Sequence, residues 1–183
     1  MSCFYSVEDF PFLKEIQSQH AVFLDEFVKN DSSLFVKYYY KNNGKDDVAV
    51  FNSNEKNTIP WVSIPIFDNT DLLTQKTAKT YPLTLSCIQS NISEKFQIYT
   101  VNFCILNNQS YFPRHKHEKD NFHIFHVLLN ELDNYCLYET ENEYKTIKTP
   151  GDYIIFDLFK MHSVYNFSNS SKISLSLSFK VND

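Results

Sequence analysis

The chain has 183 residues, 43% of them hydrophobic and 21% charged, and carries a formal net charge of -5. This length suits one compact domain of about 100–200 residues, and the composition excludes a disordered tail or a coiled coil. A single arginine, Arg114, among scattered lysines offers no basic stripe to neutralise a phosphate backbone, which excludes nucleic acid as a partner.

Between Phe10 and Lys29, Phe12, Leu13, Ile16, Phe23, Leu24, Phe27 and Val28 recur at helical spacing, with Asp9 ahead of Phe10-Pro11 as an N-cap signal. This predicts an amphipathic N-terminal helix. Apolar and aromatic runs at 34–40, 48–51 and 61–66, broken by an Asn/Gly/Asp cluster and by Pro60 and Pro65, read as irregular strands and loops. Two helical segments follow at 70–79 and 82–89, the second opened by a proline that suits a first turn. After Lys95 the character changes. Runs rich in Phe, Tyr, Ile and Val recur at 95–106, 111–117, 122–129, 134–139, 143–148, 152–157, 162–167 and 172–181. Eight short strands with no helix between them predict an antiparallel sandwich or barrel. The last strand alternates cleanly, so one of its faces is apolar and the other polar.

No run approaches the ~18–20 apolar residues of a membrane span, and the first ten residues lack a signal-peptide pattern. A cytoplasmic protein is expected. The four cysteines form no CxxC pair and read as reduced thiols, and two glycines, Gly44 and Gly151, exclude the glycine-rich phosphate loops of nucleotide-binding folds.

Five of the six histidines, His115, His117, His123, His126 and His162, lie in the strand-rich half. On a strand, His115 and His117 point to one side and Arg114 and Lys116 to the other. Imidazole suits iron, copper, nickel and zinc, and a His-x-His pair with a distant histidine leaves coordination positions open for substrate. The turn Pro150-Gly151-Asp152 feeds a strand that stops just before His162, which places His162 at the start of the next one. His20, on the N-terminal helix, and His123, out of step with His126, read as structural.

Three features together resemble the aspartyl/asparaginyl β-hydroxylase family. These are His115 with His126 eleven residues on, the run Phe156-Asp157-x4-His162-x3-Asn166, and Lys172 ten residues beyond His162. Phe10-Pro11 and Tyr81-Pro82 look like further family landmarks, and the Pro-Gly-Asp lead and His-x3-Asn ending are shared with cupins. The resemblance implies a mainly β protein with flanking helices: a double-stranded β-helix of jelly-roll or cupin type with an N-terminal helix. It spans 1–183 as one domain, with 1–94 packing on a barrel core at 95–181. It also implies Fe(II) as cofactor, 2-oxoglutarate as cosubstrate, and hydroxylation of an aspartyl or asparaginyl residue of a peptide, or of a free amino acid.

Carried over by residue, the resemblance makes His115 and His162 the catalytic iron ligands and His126 a contact to the C1 end of 2-oxoglutarate. Cys104 takes the place of a serine whose hydroxyl assists at the other, distal carboxylate, and Lys172 that of the arginine for the same carboxylate. Ile124 stands where the family has a second arginine. His117 is a possible third ligand, and two alternatives stay open: a three-histidine cupin metalloenzyme that does not use 2-oxoglutarate, and a catalytically inactive cupin-type binding protein.

Overall fold

A strand that alternates large apolar with small polar side chains sorts them onto opposite faces of its sheet. In Lys172–Val181 the apolar set is Ile173, Leu175, Leu177 and Phe179, and the polar set is Lys172, Ser174, Ser176 and Ser178. The computed structural model describes residues 2–30, 36–37, 41–42, 45–46, 61–68, 79–91, 95–117 and 121–182. Its helices are α1 (Pro11–Ser18), α2 (His20–Lys29) and α3 (Pro82–Asn91). Its strands are β1 (Val36–Lys37), β2 (Lys41–Asn42), β3 (Lys45–Asp46), β4 (Trp61–Asp68), β5 (Phe96–Leu106), β6 (Ser110–His115), β7 (Phe122–Leu128), β8 (Cys136–Thr140), β9 (Glu143–Ile147), β10 (Tyr153–Asp157), β11 (His162–Asn166) and β12 (Lys172–Val181).

Strands β5 to β12 are the eight expected strands, wound into two facing antiparallel sheets. One has the order β1-β4-β5-β12-β7-β10 and the other β6-β11-β8-β9. From β5 onward, consecutive strands thus cross between sheets except at the β8–β9 hairpin, and the chain is a double-stranded β-helix. The larger sheet is covered on both sides. Its outer face, with Val101, Phe103, Phe125, Val127, Leu175, Leu177 and Phe179, packs against Phe12, Leu13, Ile16 and Phe23 of the helices. Its inner face meets the smaller sheet around Leu106, Leu128, Tyr138, Phe156 and Val164. The polar side of β12 therefore faces the inside of the barrel.

The N-terminal helix expected as one piece is two, divided at Gln19, and α1 has no side-chain cap. Asp9 instead accepts the backbone N–H of Ser6 at 2.8 Å. The break sets His20 against the β9–β10 turn, where Gly151 has φ +89 and an added Cβ would lie 3.3 Å from the His20 ring. Glycine is required there by both backbone conformation and space. The helix at 82–89 is present as α3, and buried Glu26 of α2 accepts the N–H groups of Leu83 and Thr84, both at 2.8 Å, satisfying donors at its first turn. The runs at 48–51 and 70–78 lie outside the described residues. No helix among the described residues is long and apolar enough to cross a membrane.

Phe179 has no exposed surface and packs its ring against Phe10, Phe12 and His123. Phe179→Ala is expected to lower unfolding stability by about 3–5 kcal/mol in denaturant titrations, the cost of a large-to-small change in a close-packed core.

Candidate metal centre

His115 ends β6 and His162 begins β11, and the two are direct partners across the pair of strands. Residues opposite each other on paired strands share a face, and the two rings lie 4.1 Å apart between centroids. A register shift follows immediately, between His162 and Val164, so the strand is bulged beside the site. Each imidazole is fixed in the same way. Nδ1 of His115 lies 2.8 Å from the carbonyl oxygen of Pro113, and Nδ1 of His162 lies 2.8 Å from that of Lys160. A carbonyl accepts only from Nδ1–H, which leaves the Nε2 lone pair of each ring free to bind a metal.

Strand β6 stops at His115, two residues short of the expected strand end, so alternation does not carry His117 to the site. A backbone bond does: the N–H of His117 donates to the carbonyl of Leu158 at 3.1 Å. One ring nitrogen from each of His115, His117 and His162 then lies within 4.8 Å of the others, with His117 exposed and the other two buried. Three imidazoles with an open side form a donor set suited to a first-row transition metal.

Burial makes both strand histidines hard to protonate. His115 is lowered to about 4 and His162 to about 3, chiefly by desolvation, and for His162 next by the neighbouring His115. Their lone pairs are therefore open to a metal at neutral pH.

The histidines open onto a cavity of about 640 Å³ running into the barrel between Trp61, Phe112, Ile124, Phe156 and Val164, with Ser63, Asn102, Cys104, Ser176 and Ser178 on its polar wall. His126 lines it and is buried, and its Nδ1 has no hydrogen-bond partner among the described residues. Burial pushes the His126 imidazolium down, so the ring is neutral. His123 faces the opposite side of β7, 2.8 Å from Asp157 and against Phe10, and is structural as expected. His20, whose Nδ1 lies 3.1 Å from the Gln17 carbonyl, is structural too.

Lys172 has no exposed surface and reaches the cavity wall through Trp61. Its Nζ donates to Tyr138 Oη at 2.5 Å and stands over the rings of Tyr138 and Trp61, 4.9 and 5.1 Å from their centroids. Among the described residues no carboxylate pairs with it. Desolvation lowers its pKa and raises that of Tyr138, so burial works against charge on either group. Cys104 is buried between Ser63 and Ser174, and burial raises its thiol to about 11. It stays a thiol. The sequence reading missed Trp61 and Tyr138, the two rings that enclose Lys172. Trp61 is the only tryptophan of the chain, which was its one available signal.

Asn166, at the end of the Phe-Asp-x4-His-x3-Asn run, is buried. Its amide donates to the carbonyls of Leu106, Asn107 and Ser170 at 3.2, 2.9 and 2.9 Å. It ties the β5–β6 and β11–β12 connections together and takes no part in the cavity.

Residues 23–181 match the family model described as Aspartyl/Asparaginyl beta-hydroxylase. No curated protein matches the chain in sequence. Similar solved structures include the cupin domain of an XRE-family transcriptional regulator from Enterobacter cloacae, at 17% identity and TM-score 0.42, covering 65% of this chain and 95% of that one. A Pseudomonas putida prolyl-4-hydroxylase is 10% identical with TM-score 0.42, over 67% of this chain and 73% of that one.

The depressed histidines give a pH dependence. The unfolded chain takes up protons near the ordinary histidine value of 6.5, whereas folded His115 and His162 resist until about 4 and 3. Stability rises with pH where the unfolded state holds more protons. The denaturation midpoint of metal-free protein is therefore expected to fall as pH drops from about 6.5 towards 4 and 3, and the H115Q/H162Q double variant to flatten that slope.

Proposed function

Because the chain belongs to the aspartyl/asparaginyl beta-hydroxylase family, we propose that it is an Fe(II)- and 2-oxoglutarate-dependent hydroxylase. Its substrate is an aspartyl or asparaginyl residue of a peptide, or a free amino acid. The observation that carries this reading is the histidine set His115, His117 and His162 on a cavity whose Trp61 wall stands against buried Lys172, which pairs with no carboxylate among the described residues.

The residues present fit both groups. His115 and His162 offer Nε2 to iron, with His117 beside them, and the backbone carbonyls of Pro113 and Lys160 keep the rings turned for that purpose. Lys172 meets the distal carboxylate of 2-oxoglutarate with Cys104 beside it, and Nδ1 of His126, which has no hydrogen-bond partner among the described residues, serves its C1 end. When bound, iron and 2-oxoglutarate activate dioxygen and supply the oxygen atom inserted into a substrate C–H bond. The chain orients these partners and excludes water with Trp61, Phe112, Phe156 and Val164. Ile124, on the cavity wall, adds apolar surface where the family has an arginine, so Lys172 is left as the cation for the cosubstrate.

The gathering of His117 with the other two favours a second reading, a three-histidine cupin metalloenzyme that needs no 2-oxoglutarate. The two readings part at one variant. Under the hydroxylase reading, H117G keeps stoichiometric iron and succinate production, while H115A and H162A each lose the metal; metal analysis of anaerobically purified protein and a 2-oxoglutarate turnover assay decide the matter. Loss of iron in H117G, with no 2-oxoglutarate consumption by the wild type, supports the alternative.

Lys172→Met keeps most of the side-chain volume and removes the charge. It is expected to raise the KM for 2-oxoglutarate at least about tenfold, since removing the partner of a desolvated carboxylate costs about 2–5 kcal/mol. An unchanged KM shows that the carboxylate binds elsewhere.

A further inference from the structure

The turn between β10 and β11 serves two sets of contacts. Its carbonyls hold the histidines: Lys160 O accepts from Nδ1 of His162 at 2.8 Å, and Leu158 O from the N–H of His117 at 3.1 Å. Its side chains face the N-terminal segment. Tyr5 Oη donates to Asp157 Oδ2 at 3.1 Å, and Lys160 Nζ lies 3.5 Å from Cys3 Sγ.

The segment is well anchored for this. Phe4 forms an antiparallel bridge with Phe156, and the N–H of Tyr5 donates to the carbonyl of Ile155 at 2.9 Å. Ser2 Oγ and the N–H of Cys3 both donate to Glu143 Oε2 at 2.9 Å. The ring of Phe4 packs edge-on against Phe156, which in turn packs against His162, with centroids 6.3 and 4.7 Å apart. Burial and Asp157 push the Tyr5 phenol up to about 12, so it stays a donor.

We propose that residues 2–5 clamp the metal centre, with Tyr5 as a positioning residue that acts through Asp157 on the turn whose carbonyls orient His162 and His117. The inference rests on the metal-site reading above. Hydrogen bonds beyond the ligands set ligand orientation, and their loss typically costs about 10–100-fold in metal affinity. A clamp whose Tyr5 is 152 residues from Asp157 in sequence thus becomes part of the site.

Tyr5→Phe removes one hydroxyl and keeps the ring packed on Phe10 and His123. Two measurements test it, Co(II) affinity by titration and the tautomer of His162 in metal-free protein by nitrogen NMR. The expected result is a loss of about tenfold in Co(II) affinity, together with a shift of His162 from one Nδ1–H tautomer to a mixture. Asp157→Asn is expected to act in the same direction. A merely structural Tyr5 would lower the denaturation midpoint and leave both readouts alone. Unchanged Co(II) affinity with a single His162 tautomer in both variants overturns the proposal. If the wild type takes up no Co(II), the functional reading falls, and the tautomer comparison still decides the clamp.

Discussion

The pairing of β6 with β11 in one register, His115 opposite His162, is the constraint on which the site depends. A slip of one residue in either strand would turn its histidine to the far face of the smaller sheet. The register is held from several directions. β11 is paired on its other side with β8 from His162 to Asn166, and Asn166 ties the end of β11 to two connections. The bulge after His162 interrupts the ladder on the β6 side only. The site is therefore built on rigid strands, with its orienting carbonyls two residues before each histidine.

The larger sheet meets a second constraint, because both of its faces are buried. One face takes the helices and must be apolar; the other forms the barrel interior, where β12 presents serines and Lys172. Small hydroxyl-bearing side chains leave room for a cavity that larger apolar residues would fill. Thr100 and Ser178 satisfy each other at 2.6 Å, which limits the cost of burying them. Lys172 is the exception. Its one hydrogen-bonding partner among the described residues is the phenol of Tyr138, and a buried ammonium held this way is destabilising unless an anion joins it.

The connections extend the same logic. The β10–β11 turn is the point where the barrel, the histidines and the N-terminal segment meet, and each uses different atoms of it. Backbone carbonyls serve the ligands, whereas the side chains of Asp157 and Lys160 serve the segment. His123 completes the arrangement from β7 by pairing with Asp157.

Much of this was legible in the chain. The eight strands followed from period-two patterning and polar breaks, and they were found within a few residues of their ends because each strand is short and bounded by turn-forming residues. The single N-terminal helix was not legible as two, since the apolar spacing runs through Gln19 unbroken and only the docking of His20 on Gly151 interrupts it. The site residues were visible as types and spacings: His115, His117, His126, His162 and Lys172 stood out in the sequence. Their arrangement was decided elsewhere. Local pattern governs which side of a strand a residue occupies, because alternation is a property of the backbone. Which strands become neighbours, which face is enclosed, and which rings surround Lys172 depend on contacts between residues far apart in the chain, such as Trp61, Tyr138 and Lys172. His117 shows the division best: alternation would have placed it by a strand that ends two residues too soon, and the hydrogen bond its N–H donates to the carbonyl of Leu158, 41 residues further along, places it instead.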